Sequence, residues 1–473
     1  MKNDSNLKFI SALDLSTLIH RKEISPVEII EFYAARISKI DPFLGSFTYV
    51  ALETAMETAK NHTEILGKTT DTSTLPLFFG IPTAIKDLYP VAGMPISYGN
   101  GFIKDQISSS DCGLVTKIKQ AGFIILGKTA TSELGSLPYI ESMGLPPARN
   151  PYNLEYTSGG SSGGAAAAVA AGLIPVAPGS DGGGSVRGPA FCCGLVGLKP
   201  SRGRISNAPV GDYLGGIATH GCLSRTVADN AALLDVISGY ITGDPYWLPN
   251  PAVSFLDAIT QDTGKLRIAF ATSVLPSGEG DDILQQQVKN IAHHLQDMGH
   301  CLSEACPDFT PLVEPFVTIW QSSVSLAAFP EQILSPMNRW LNGRSQDLGG
   351  YLQSLHQIQI ISRQIVAFFD DFDVLLLPTY LQPPIKVGAW SDLSFEDTLQ
   401  HIIKWINPCP PFNATGQPAI AIPTGFTEQG IPVGVQLIGK PNDEATILQL
   451  AYQLEKIINW HQYHPKEVII INT

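Results

Sequence analysis

Three stretches of this 473-residue chain set reactive side chains among glycines. Residues 122–129 read G-x4-G-K-T and formally fit a phosphate-cradling loop. Such a loop needs its four central residues in a turn that points backbone N–H groups at phosphate. Here they are Phe123-Ile124-Ile125-Leu126, an apolar run that predicts a buried strand, and residues 117–121 before them read as a helix end. Gly159, Ser161 and Gly163 spell G-x-S-x-G, a nucleophile elbow, which requires a strand before it and a helix after it. Residues 165–171 supply the helix, but residues 149–153 read as a loop. His220, alone among ten histidines in a glycine-rich neighbourhood, reads as a solvated loop residue.

The third constellation is more specific. Gly159-Gly160-Ser161-Ser162-Gly163-Gly164 opens an alanine-rich helix, and Gly179-Ser180-Asp181-Gly182-Gly183-Gly184-Ser185-Val186-Arg187 follows. Upstream, the apolar run Gly80-Ile81-Pro82-Thr83-Ala84-Ile85 ends at Lys86 and Asp87. These are two serine-bearing glycine loops and one lysine in apolar surroundings. Glycines let the backbone approach a ligand closely and turn several N–H groups on one point. A serine hydroxyl becomes a good nucleophile only when a base takes its proton. Lysine serves as that base only when burial or cationic neighbours lower its pKa from ~10.4.

The composition sets bounds on what such a site can serve. The chain has 44% hydrophobic residues, 15% charged residues and a formal net charge of −13. A chain this apolar can bury enough surface to offset its ordering entropy, so large-scale disorder is excluded. The acidic balance argues against a basic nucleic-acid face. Seven cysteines include only the adjacent Cys192-Cys193 and an isolated Cys301-x4-Cys306, so neither a disulfide framework nor a metal site is expected. The uncharged stretches 156–180 and 405–427 are broken by glycines or prolines and cannot supply a membrane span. With no apolar leader in MKNDSNLKF, a cytoplasmic enzyme without cofactor or metal is expected.

The elements that must hold the loops follow from periodicity. Residues 7–62 read as helices, with Ser25-Pro26 opening one whose stripe is Val27, Ile30, Tyr33, Ala34 and Ile37. Buried strands are expected at 195–198, 267–270, 374–377 and 419–422, and helices at 283–298 and 445–458. Residues 243–264 read as a long surface excursion. Interleaved strands and helices predict an α/β fold with a covered sheet. A single large domain is expected, with residues 1–65 as a helical segment packed on the α/β body of residues 66–473.

Taken together these segments resemble the amidase signature family over nearly the whole chain, including Phe412-Asn413-Ala414-Thr415-Gly416-Gln417-Pro418 and Gly434-Val435-Gln436-Leu437-Ile438-Gly439. The resemblance implies a central twisted mixed sheet covered by helices on both faces, and a Ser-Ser-Lys triad. By motif, Ser185 is the nucleophile, Ser161 the bridging serine in a cis peptide, and Lys86 the base. Ser161 stands 24 and Lys86 99 residues before Ser185, as in the family. Gly182, Gly183 and Gly184, with Ser185, would present N–H groups to an oxyanion, while Ser162, Asp181 and Arg187 support the loops.

Gly182 before the last two glycines, with Cys192-Cys193 and Lys199-Pro200-Ser201-Arg202-Gly203-Arg204, is similar to the subgroup of cyclic nylon-oligomer hydrolases. Gly221-Cys222-Leu223-Ser224-Arg225 stands where the family usually carries Gly-Pro-Met-x-Arg, and Cys222 is expected to be either an acyl-pocket residue or an inert buried thiol. The implied activity is hydrolysis of a small-molecule amide through a seryl acyl-enzyme, with a homodimer as the expected assembly. Two alternatives are the glutamine-hydrolysing subunit of a tRNA-dependent amidotransferase and acyl transfer to an amine. The first needs an acidic residue seven positions before Asn413, where this chain has Ile406. The segments expected to line the pocket are 137–140, 213–214 and 405–408. Only Glu141 adds a charge near them, so neutral apolar amides are the expected substrates.

Overall fold

The computed structural model describes residues 7–103 and 105–466. Helix α1 (Ala12–His20) is capped by the Ser11 side chain, and α2 (Pro26–Leu44) starts with a Ser25–Glu28 capping box and Pro26 in its first turn. The expected all-helical stretch is interrupted by strand β1 (Phe47–Val50) before α3 (Leu52–Lys68). Its Phe-Thr-Tyr-Val sequence suits an extended backbone, and pairing with a distant strand overrides the flanking helical pattern. That partner is β3 (Ile124–Thr129), which lies between β1 and β2 (Pro82–Lys86). The G-x4-G-K-T match is therefore largely strand, preceded by helix α4 (Gly113–Gln120).

The main sheet has eight strands: β4 (Val176–Asp181), β5 (Val196–Lys199), β6 (Thr219–Ser224), β7 (Arg267–Phe270), β8 (Cys301–Glu304), β9 (Val374–Pro378), β10 (Ala419–Phe426) and β11 (Pro432–Gly439). Their order is β8-β7-β9-β11-β10-β5-β6-β4, parallel across β8-β7-β9 and antiparallel elsewhere. Side chains of β9 divide by parity. Val374 and Leu376 join one core with Leu284, Val288 and Ile447 from the helices Asp282–Asp297 and Glu444–Ile458. Leu375 and Leu377 join a second core with Ile319 and Ile358 from the helices Val313–Leu326 and Leu348–Ala367. Period-two alternation with both sets apolar is the signature of a sheet covered on both faces. This is the single-domain mixed α/β architecture expected.

Two details differ from expectation. Helix α3 runs past the residue-65 boundary to Lys68, and its segment contributes a strand. The 243–264 excursion contains a helical turn, Phe255–Ala258, docked by buried Phe255 and by the Asp235 carboxylate on the Phe255 and Leu256 N–H groups.

Candidate active site

Three chain segments converge at one edge of the fold. Lys86 is the last residue of β2, Ser180 and Asp181 end β4, and Ser161 and Ser162 precede helix α5 (Gly163–Ala170). Strands β2 and β4 are tied by the Thr83 hydroxyl donating to the Val176 carbonyl at 3.0 Å. Every residue of α5 is buried. Glycine and alanine dominate it because the helix runs so close to its neighbours that larger side chains would not pack. Gly160, joined to Ser161 by a cis peptide, has no room for a side chain: a Cβ would lie 2.5 Å from the Tyr139 nitrogen.

Lys86 is fully buried. Its Nζ donates to Ser161 Oγ at 2.7 Å, Ser162 Oγ at 2.9 Å and Ser180 Oγ at 2.9 Å. Burial lowers the lysine pKa to about 7, against the opposing pull of the Asp181 carboxylate. Ser162 is held in both directions: its hydroxyl donates to the Ser180 carbonyl at 3.2 Å and accepts from the Ser180 N–H at 3.3 Å. When Lys86 is neutral, one surrounding hydroxyl must donate to its lone pair. Ser161, the nearest, has its proton uncommitted. Sequence reasoning passed over Ser180, although it sits in the quoted loop beside Asp181.

Ser185 precedes helix α6 (Arg187–Cys193), and its carbonyl accepts from the Ser162 N–H at 3.2 Å. Ser161 and Ser185 line the same cavity. No hydrogen bond joins their hydroxyls among the described residues. Asp181 shapes the 182–187 loop. Its oxygens accept from the N–H groups of Gly184 (2.7 Å), Val186 (3.1 Å) and Arg187 (3.3 Å), and from Arg187 Nε and Nη2 at 3.1 and 2.9 Å. Burial alone would raise its pKa, but the Arg187 guanidinium and its neighbours hold it well below the usual carboxylate range. Arg187 is tied further to the Cys409 carbonyl, Gln436 Oε1 and Asn413 Oδ1.

Gly184 corrects one expectation. Its N–H is committed to Asp181, so it braces the loop, at φ +118°, and offers no donor to an oxyanion. All four residues 182–185 line the cavity, and the N–H groups of Gly182, Gly183 and Ser185 are not drawn onto Asp181.

His220 is a second correction. It is a buried residue of β6, opposite Ser180 in register, with its ring 4.5 Å from that of Tyr89. Burial, with Lys86 nearby, lowers its pKa to about 3, so it is neutral at working pH. Nor is the segment before Ser161 all loop. Residues Asn153–Thr157 form a strand, but in a two-stranded hairpin outside the main sheet, so the elbow geometry is still missing. Cys222 is buried in the core and outside the cavity lining, which fits the inert thiol.

The cavity over Ser161 and Ser185 measures about 540 Å³. Leu137, Pro138, Tyr213, Leu214, Ile406 and Asn407 line it as expected, whereas Tyr139, Ile140, Trp405 and Pro408 do not. Its largest wall was not foreseen. Phe316, Val317, Trp320 and Leu326 come from the helix Val313–Leu326, which no sequence pattern places near residues 80–190. Among the described residues, Asp212 is the one charged side chain in the lining. Glu141, expected near the pocket, lies outside the lining and accepts from the Gly388 N–H at 2.9 Å.

The amidase family model matches residues 28–448, and the chain belongs to that family. A protein of Synechocystis sp. assigned as an amidase is 52% identical over 453 residues, 96% of this chain and 89% of that one. The structure of a 6-aminohexanoate cyclic dimer hydrolase complexed with substrate superposes with TM-score 0.91 at 28% identity, covering 98% of this chain and all of that one. A bacterial aryl acylamidase shares the fold at TM-score 0.87 and 24% identity, covering 99% of each chain. The protein is an amide hydrolase acting on small molecules. Among the described residues no helix is long and apolar enough to cross a membrane, and no group of three acidic, histidine or cysteine side chains could hold a metal ion.

Proposed function

We propose that this amidase hydrolyses neutral, apolar amides through an acyl-enzyme on Ser185. The carrying observation is the cavity itself, walled by Leu88, Leu134, Phe316, Trp320 and Ile402 and charged only at Asp212 among the described residues. A charged substrate group buried without a partner is costly, and such walls favour alkyl and aryl groups. Ile406 stands in the lining where a glutamine-binding site needs a carboxylate.

In the proposed reaction Ser185 Oγ attacks the amide carbon as its proton passes to Ser161 and the Ser161 proton passes to neutral Lys86. The N–H groups of Gly182, Gly183 and Ser185 stabilise the oxyanion, each well-placed donor contributing ~2.7–4 kcal/mol. Collapse breaks the C–N bond and returns the proton through Ser161 to the departing amine. Water then attacks the ester by the same relay in reverse, releasing the acid and restoring Ser185.

Two measurements test this. Steady-state kinetics should give a hydrophobic anilide the higher kcat/KM and free glutamine little or none; a higher value for glutamine would sink the apolar reading. The pH profile of kcat/KM should rise about tenfold per unit up to a bend near pH 7 and level above it. The sign follows from the base: Lys86 accepts a proton only when neutral, so rate is lost as pH falls through its pKa. His220, neutral down to about pH 3, contributes no limb in that window. A flat profile from pH 5 to 9 would exclude a lysine base.

A further inference from the structure

Several contacts fasten the apolar wall of the cavity to the catalytic body, and the densest cluster of hydrogen bonds among them centres on Glu133. Glu133 is buried, and its carboxylate accepts from four neutral donors: Asn100 Nδ2 at 2.7 Å, the Ser335 N–H at 2.9 and 3.1 Å to its two oxygens, Ser335 Oγ at 2.6 Å and Asn338 Nδ2 at 2.5 Å. No cation pairs with it among the described residues. Ser335 and Asn338 belong to the helix Pro336–Asn342 and its N-cap, which packs against Val313–Leu326, the helix that walls the cavity. Two more bonds cross the same seam. Trp320 Nε1 donates to the Ser136 carbonyl at 2.9 Å, and Ser136 Oγ donates to Asn338 Oδ1 at 2.6 Å.

On the body side, the segment carrying Glu133 lies against the catalytic serines. Leu134, Gly135, Ser136, Leu137 and Pro138 line the cavity, and a Cβ on Gly135 would sit 3.4 Å from Ser161 Oγ. This segment has its own anchors: the Leu134 N–H on the Tyr98 carbonyl at 2.8 Å, and Ser132 Oγ on the Leu137 carbonyl at 2.9 Å. Removing the carboxylate therefore loosens the 313–342 cap, which keeps the Trp320–Ser136, Ser136–Asn338 and Asn100–Ile333 bonds, and leaves the Ser161 wall in place. Burying a carboxylate costs desolvation energy that its hydrogen bonds must offset, and three of its four donors sit on the cap side. The geometry it fixes is the distance between the cap and the nucleophile.

We propose that Glu133 is a latch, a positioning residue that holds the 313–342 cap over Ser185 and thereby gives the site its preference for bulky apolar groups. The proposal rests on the acyl-enzyme reading above, with Ser185 as the attacking residue. Phe316 stands beside Gly183, within reach of any group bound at Ser185, but a short group is expected to gain less than a long one from Trp320 and Leu326, and so less from a fixed cap. A long or aromatic group packs against them and loses that contact when the cap is free.

The test compares inactivation of the full chain by a small alkyl and a long-chain fluorophosphonate, probes that phosphonylate an active serine whatever its natural substrate. Glu133→Ala should lower the second-order rate for the long probe by about 10- to 100-fold through weaker binding, and for the small probe by less than about threefold. Ser335→Ala and Asn338→Ala release the latch from the cap side with Glu133 intact, and should lower the long-probe rate in the same direction should Glu133→Ala fold poorly. Glu133→Gln, which keeps one acceptor oxygen, should recover part of the loss. Equal losses on both probes would overturn the proposal, because a merely structural disturbance of Ser161 affects both. Unchanged rates in all variants would also overturn it. A wild-type chain labelled by neither probe would overturn the Ser185 reading and the latch with it.

Discussion

Ser185→Ala is expected to lower kcat for amide hydrolysis by about 10⁴-fold or more while leaving Tm within error of the wild type. In the proposed mechanism the hydroxyl makes the covalent bond, yet it enters none of the hydrogen bonds that hold the 182–187 loop. Those run through Asp181 to backbone N–H groups and through the Ser185 carbonyl. Lys86→Ala should cost nearly as much, because base and nucleophile act as a unit and their losses do not add. It should also remove the acid limb near pH 7 from the residual rate. Mass spectrometry after incubation with a slow ester substrate provides the direct check: acyl mass should appear on Ser185 in the wild type and vanish in Ser185→Ala. If Ser185→Ala retained wild-type rates while Ser161→Ala alone was inactive, the G-x-S-x-G elbow would be the correct reading. The Lys86–Ser161 bond at 2.7 Å would then describe a base acting directly on its nucleophile.

Why the segments bearing Lys86, Ser161 and Ser185 stand out in the sequence while their surroundings do not comes down to locality. Lys86, Ser161 and Ser185 lie in short glycine-rich or apolar segments whose residue types already state the chemistry. Strands such as Val374–Pro378 and Ala419–Phe426 were visible because a sheet buried on both faces needs unbroken apolar runs. Strand Phe47–Val50 was not, because four residues between two helices become a strand only through pairing with Ile124–Thr129.

His220 was misread for the same reason. Its glycine neighbour suggests a loop, but pairing of residues 219–224 with 176–181 makes it a core residue. Gly184 looked equivalent to Gly182 and Gly183 in sequence. Only the closure of the loop onto Asp181 shows which N–H is already used. The cap wall and Glu133 depend on contacts across about 200 residues, which no local pattern encodes.

Arg187→Met is expected to destabilise the fold by about 3–5 kcal/mol at pH 7, the cost of leaving one member of a buried ion pair unpaired. Arg187 and Asp181 are both fully buried, and Asp181 sits at the centre of six donors, among them the N–H groups that shape the nucleophile loop. Burial raises the Asp181 pKa, and the guanidinium together with Lys199 and Asn413 more than reverses it. In the wild type the carboxylate pKa is therefore depressed. Its stabilisation is present above the unfolded value of ~3.9 and lost as pH falls through the folded one.

In the Arg187→Met variant the sign is expected to invert, because burial then outweighs the remaining opposition from Lys199, Asn413 and the loop N–H groups, and the carboxylate is penalised as pH rises above ~3.9. The stability gap between wild type and variant should hence be widest near neutrality and narrow toward pH 4, as read by urea denaturation at both pH values. The double variant Asp181→Asn with Arg187→Met should regain part of the lost stability, since no unpaired charge remains, but little activity, since the bidentate brace on the loop is gone. A gap that stayed constant with pH would show that Arg187 acts through packing of its side chain and not through Asp181. Full activity in the double variant would show that the nucleophile loop holds its shape without the pair.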